Sequence, residues 1–311
     1  MTTPPRPVDL EAAFPELADH ARTATRLHPR PGSPGVHDSS VGGPLLWPAD
    51  EPWPVCTRTH AFAEDLRSPA DERLRRRLLD QARDDDAFTD ELRAELRRLD
   101  ERAPTSVPRE LPLLAVAQLY ARDVPDLHPP EGTDMVQVLW CPFEHDADLI
   151  CPLAELRWRS SDVANPLTVQ PGPTVMESDQ YLPEPCVLRP EQITEYEYLG
   201  LLPYDLEQRI IAWQEETGHD YRWELALVGG WKVGGWARWN LSGPEVIECE
   251  CGADLELLLA IDSGEHGGES WPPAEEGVRP DPTQIRIGRG YSLQILVCPT
   301  SYDHLGEQVK Q

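Results

Sequence analysis

The same ordered set of short motifs occurs twice along the 311-residue chain. Val41-Gly42-Gly43 precedes Trp47, and Val233-Gly234-Gly235 precedes Trp239, the Trp lying four residues past the second Gly in both. Cys56 follows Gly43 by thirteen residues, and Cys249 follows Gly235 by fourteen. An apolar run comes next, Leu111 to Gln118 in one half and Leu255 to Asp262 in the other. Last, Val136-Gln137-Val-Leu-Trp-Cys141-Pro142 parallels Leu293-Gln294-Ile-Leu-Val-Cys298-Pro299. Self-similarity of this kind marks a repeated structural unit. Short apolar runs bounded by Gly, Pro or Asp read as strands. They fall at 111–120, 134–141, 153–159, 255–262, 284–288 and 291–298. The expected fold class is α+β: a β-rich, internally duplicated unit with pseudo-twofold symmetry.

The halves differ in one place. Gly43 to Leu111 spans 68 residues, whereas Gly235 to Leu255 spans 20. The excess fits a charged stretch over 63–104, where Leu74, Leu78 and Leu79, then Leu92, Leu96 and Leu99, fall at helical spacing. This predicts a helical insertion in the first repeat. It would be a two-helix hairpin joined near Arg83–Ala87, capped by Asp84-Asp85-Asp86 and separable from the β core. The expected organisation is an N-terminal helix (Leu10–Thr25) and Pro-rich arm over 1–35, then a first repeat over 36–160. A bridge with one helix (Leu202–Gln214) occupies 161–221, and a second repeat 222–311. The Gly- and Pro-rich stretch 264–283 reads as a mobile loop.

Thiols and imidazoles sit at the repeated positions. Cys56 is followed by His60 and Cys141 by His145, each four residues on. The second half offers Cys249, Cys251, Cys298 and His304. Two thiolates with two imidazoles, or three with one, suit tetrahedral zinc, and four protein ligands make its role structural. The competing reading is that these cysteines are small buried hydrophobes at strand ends. Cys151 and Cys186 fit neither set and read as structural.

Charge narrows the function classes. Fifty-five acidic against 28 basic residues leave a net charge of −27. That disfavours nucleic acid and anionic membranes, and favours a basic protein or peptide as partner. No run approaches about 18 apolar residues, and the N-terminus lacks a signal-peptide pattern. An odd seven cysteines then read as reduced thiols in a cytoplasmic protein. The segment Trp231-Lys232-Val-Gly-Gly-Trp236 reads as an exposed partner-binding surface, with Trp47 and Trp239 as matched core residues. Phosphate-loop, nucleophile-elbow and His-Glu-x-x-His patterns are absent, and His37-Asp38-Ser39-Ser40 reads as a turn. No catalytic residue is assigned. The expected function is a non-enzymatic, acidic protein-binding module, with a zinc-dependent enzyme as the alternative.

The paired Val-Gly-Gly…Trp signatures, Cys249-Glu-Cys251-Gly252 before Leu255-Glu-Leu-Leu-Leu259, and Tyr291-Ser-Leu-Gln-Ile-Leu-Val-Cys298-Pro299 resemble the YwqG-like family of bacterial proteins. The likeness runs from about Arg30 to His304, outside the insert. The second half is similar, more distantly, to the eukaryotic programmed-cell-death-2 family. It departs from that family in having Cys-x-Cys where a zinc knuckle has Cys-x2-Cys. The resemblance implies a duplicated β-rich fold without known enzymatic activity. It also implies a toxin-immunity role, or chaperoning of a basic ribosomal protein.

Overall fold

A computed structural model describes residues 3–60, 66–84, 88–145, 151–177, 179–265 and 279–311. It is a mixed α+β structure of antiparallel sheets. Along the chain the strands are β1 (Ala21–Arg26), β2 (Arg30–Pro31), β3 (Ser40–Val41), β4 (Val55–Cys56), β5 (Leu111–Pro112), β6 (Leu114–Tyr120) and β7 (Met135–Trp140). Then come β8 (Ala154–Arg159), β9 (Cys186–Val187), β10 (Glu191–Tyr196), β11 (Lys232–Gly234), β12 (Glu256–Asp262), β13 (Ser292–Val297) and β14 (Glu307–Lys310). The helices are α1 (Leu10–Ala13), α2 (Pro69–Asp84), α3 (Asp90–Glu101) and α4 (Tyr204–Thr217).

One sheet has the order β10-β1-β11-β12-β13-β14 and the other β2-β9-β3-β6-β7-β8, with β4 and β5 as a separate ribbon. Each sheet therefore borrows a strand. β1 lies between β10 and β11, and β9 lies between β2 and β3. The two borrowed strands belong to one continuous pairing, since Arg26 faces Glu191 in the first sheet and Arg30 faces Val187 in the second. In each sheet the strand after the Val-Gly-Gly motif carries a register shift, between Ala115 and Ala117 on β6 and between Leu257 and Leu259 on β12. A bulge of this kind bends and twists a strand locally.

Both sheets pack onto one core. Val116, Val138 and Trp140 of the second sheet share a cluster with Val233, Leu259, Ile261 and Leu293 of the first. Burying each such side chain is worth about 1.5–3 kcal/mol. A second cluster joins Leu10, Phe14 and Leu17 to Leu206 and Ile210 of α4. A third surrounds Trp47, Trp53, Leu111 and Phe143. Trp47 and Trp239 are both buried, Trp47 in the third cluster and Trp239 in the second.

The helix expected over Leu10–Thr25 stops early. α1 ends at Ala13, a 3-10 turn covers Pro15–His20, and β1 begins at Ala21. Pro15 breaks the helix by removing an N–H donor. The Thr and Arg residues of β1 then alternate against two neighbouring strands. The bridge holds α4, ended by Gly218 in the left-handed region (φ 77), but it also supplies β9 and β10. No strand forms at 284–288. Only an isolated bridge between Ile287 and Tyr291 occurs there. Most of the stretch read as a mobile loop, residues 266–278, lies outside the described residues.

The insert is a pair of helices, as its leucine spacing requires. Their caps differ from expectation. Ser68 Oγ accepts the amide of Asp71 at the start of α2, with Pro69 as its first residue. Thr89, not the Asp run, caps α3 by accepting the Leu92 amide at 3.2 Å. Asp85, Asp86 and Ala87 lie outside the described residues. The hairpin is also docked. Arg67 and Met176 exchange backbone hydrogen bonds at 2.9 and 2.8 Å. The buried Arg76 guanidinium donates to the Leu182 carbonyl at 2.8 Å and to Glu184 at 3.0 Å. Arg76→Ala leaves that carbonyl and carboxylate without their donor, at a cost of about 2 kcal/mol. Urea unfolding of the variant is the check, and an unchanged midpoint would show the hairpin to be merely resting on the sheet.

Candidate metal centres

Each Cys-Pro pair stands at the end of a long central strand. β7 stops at Trp140 and β13 at Val297, so Cys141 and Cys298 are the first residues off the sheet. The prolines that follow cannot donate to a ladder, which helps end pairing there. Cys56 reaches the end of β7 because β4 pairs with β5, Cys56 lying opposite Leu111. In the second half Cys249 and Cys251 sit in a tight turn. The Cys249 amide donates to Ala253 O and the Gly252 amide to Cys249 O, both at 2.8 Å. Gly252 takes φ +83 at the point where the turn reverses.

The result is two four-residue groups, Cys56, His60, Cys141 and His145, and Cys249, Cys251, Cys298 and His304. Within each, the donor atoms all lie within 4.8 Å of one another. In the first, Cys56 Sγ is 3.4 Å from His145 Nε2, and Cys141 Sγ is 3.2 Å from His60 Nε2. In the second, His304 Nδ1 is 3.4 Å from Cys249 Sγ and 3.3 Å from Cys298 Sγ, and the Cys251 and Cys298 sulfurs are 3.6 Å apart. A tetrahedral ion with metal–sulfur bonds of about 2.3 Å and metal–nitrogen bonds of about 2.0 Å sets neighbouring donors about 3.3–3.8 Å apart. The measured edges approach that figure. They are far longer than a disulfide of about 2.05 Å, and all seven cysteines are free thiols. Both groups could hold a metal ion.

The two settings differ. Cys56 and Cys141 are buried beside Phe143, and the His60 ring centre lies 4.5 Å from that of Phe143. Burial lowers the pKa of both imidazoles below the usual histidine value, with the neighbouring His145 adding to the effect on His60 and Arg58 on His145. Neutral rings are the ligating form. Burial raises the Cys141 thiol, and the adjacent Cys56 adds to this. In the second group the Thr300 hydroxyl, 3.0 Å from Cys298 Sγ, leads in pulling that thiol down to about 5, with His304 contributing. Cys251 is exposed while Cys249 and Cys298 are buried. Cys151 and Cys186 are buried away from both groups, Cys186 donating to Pro282 O at 3.3 Å.

The expectation of an exposed Trp231-Lys232-Trp236 surface fails. Trp231 is 2 % exposed, and its indole N–H donates to Asp262 O at 3.1 Å. Lys232 is fully buried, its ammonium donating to both Glu195 oxygens (2.6 and 2.5 Å) and to Trp236 O (2.8 Å). Three protons meet three acceptors, so nothing remains to offer a partner. Only Trp236 is partly exposed. The physical reason lies in Glu195 on β10, which brings its carboxylate under the Val-Gly-Gly turn. Gly235 takes φ +72, and a Cβ there would collide with Glu195 Oε2 and Ala24. Other buried polar pairs join the same region, His28 facing Glu265 at 3.0 Å and Arg238 facing Asp262 at 3.2 Å. These pairs join residues 24 to 237 positions apart, and no local pattern signals them.

No protein-family model matches this chain, and no curated protein matches it.

Proposed function

We propose that the protein is a non-enzymatic binding module whose two Cys/His groups each hold a structural zinc ion, and that it captures a basic polypeptide. The observation that carries this reading is that both groups offer four protein donors. A catalytic zinc keeps a position open for water or substrate, and four protein donors fill it. When bound, the ion would tie the β4 region to the end of β7 in one half and the Cys249–Cys251 turn to the end of β13 in the other. The recurrence of motifs, strand orders and donor positions supports a duplicated origin and a pseudo-twofold relation between the halves. We also propose a relationship to the YwqG-like family, which rests on the sequence motifs alone.

The partner class rests on charge. At −27 the chain attracts cationic surfaces over distances set by the salt concentration. No helix among the described residues is long and apolar enough to cross a membrane. A toxin neutralised by the protein, or a ribosomal-type client shielded by it, are the two forms this capture takes.

The test is metal content of protein purified without chelator, with thiol titration. The expected result is two zinc ions per chain, matching the two groups, with Cys56, Cys141, Cys249, Cys251 and Cys298 protected from a thiol reagent until the zinc is chelated. Acidification should release the metal as protons compete for thiolate and imidazole. Well under one zinc per chain would overturn the structural-zinc reading. A basic protein captured equally well at low and high salt would overturn the electrostatic one.

A further inference from the structure

Beside the second Cys/His group the first sheet carries a cavity of about 330 Å³. Its floor is apolar, built on Leu257 and Leu296. One wall is Trp236, fixed by its indole N–H donating to His20 O at 3.1 Å and its amide donating to Glu195 at 3.0 Å. The rim carries Glu245, Asp254 and Glu256, all exposed. A second cavity of about 370 Å³ continues past Gly235 towards Asp126.

Arg22 is the one arginine among the described residues lining either cavity, and no lysine lines them. Its guanidinium lies 3.8 Å from the centre of the Trp236 ring and 3.1 Å from Glu256. The groove thus already binds a guanidinium, one from its own chain, between an aromatic face and a carboxylate. Glu245 and Asp254 have no ion-pair partner among the described residues.

We propose that this groove docks an arginine-bearing segment of a basic polypeptide, an inference that rests on the function proposed above. An arginine side chain matches it part by part. The aliphatic stem covers the apolar floor, the planar head stacks on the indole, and its N–H fork meets the rim carboxylates. The second Cys/His group shapes the wall, because Cys249 and Cys251 lie between Glu245 and Asp254 and Pro299 follows Cys298. An ion held by three thiolates and one neutral imidazole would leave that centre with one net negative charge, reinforcing the same preference.

The test is fluorescence anisotropy of a labelled oligo-arginine peptide on the full chain. Glu245→Gln with Asp254→Asn should weaken binding about fivefold. Trp236→Leu should weaken it about threefold. Arg22→Ala vacates the indole face and Glu256, and should tighten binding about threefold by the same reasoning. Glu215→Gln with Glu216→Gln makes the same charge change on exposed α4 positions and should leave binding unchanged. If both paired variants weaken binding equally, the groove is not the site, while capture of basic partners stands. If the unaltered protein does not bind the peptide at low salt, both readings fall.

Discussion

Cys141→Ser is expected to remove one bound metal ion and to lower stability by on the order of 4 kcal/mol, since structural zinc contributes directly to folding. Cys141 is the donor that ends β7, one of the most buried strands in the structure. Its loss also leaves Cys56, inside the cluster of Trp47, Trp53 and Phe143, and the partly buried His60 and His145 without their shared ion. The control is Cys186→Ser, equally buried, where the serine hydroxyl can keep the bond to Pro282 O. It should cost about 1 kcal/mol, in the range of an ordinary point change. Thermal unfolding with zinc stoichiometry separates the two. Equal losses would mean that Cys141 is only a packed thiol.

Lys232→Met should cost about 3–5 kcal/mol, because it strands the Glu195 carboxylate in a fully buried site. Burial disfavours the ammonium and Glu195 sustains it, so the two groups stand or fall together. Adding Glu195→Leu should recover only part of the loss. The carboxylate also accepts the Val228 amide at 2.9 Å and the Trp236 amide at 3.0 Å, and both would lose their acceptor. Full recovery in the double variant, read by denaturant unfolding, would show that those amides find water instead.

Much of the candidate site was legible because strand ends recur at fixed places in a sequence. Cys141-Pro142 and Cys298-Pro299 mark where a long strand leaves its sheet, and Cys56 and Cys249 follow each Val-Gly-Gly motif at similar distance. That pattern was enough to name the eight residues that the structure brings into two groups able to hold a metal ion. What it could not reach was decided by distant partners. Trp231 and Lys232 looked exposed because they sit beside glycines, but Glu195, 37 residues away, draws Lys232 inward. β1 looked helical because nothing local announces that β10 and β11 will flank it. Two-residue strands such as β3 and β9 are too short to show any period. The leucine spacing identified both helices of the insert, yet gave no hint that Arg76 ties them to Leu182.

The borrowed strands set a constraint on how the chain is made. A ribosome delivers residues in order, and the sheet containing β3, β6, β7 and β8 needs β9 from residues 186–187 before its edge is filled. Meanwhile β1, finished early, has no sheet to join until β10, β11 and β12 emerge. Neither half is complete when the first 160 residues have left the exit tunnel. Closing pairs so far apart in sequence is slow, and the waiting strand edges invite pairing with other chains. Nascent chains arrested short of residue 186 should therefore be protease-sensitive throughout. Expressing the two halves as separate polypeptides should yield folded material only when both are present in the same cell.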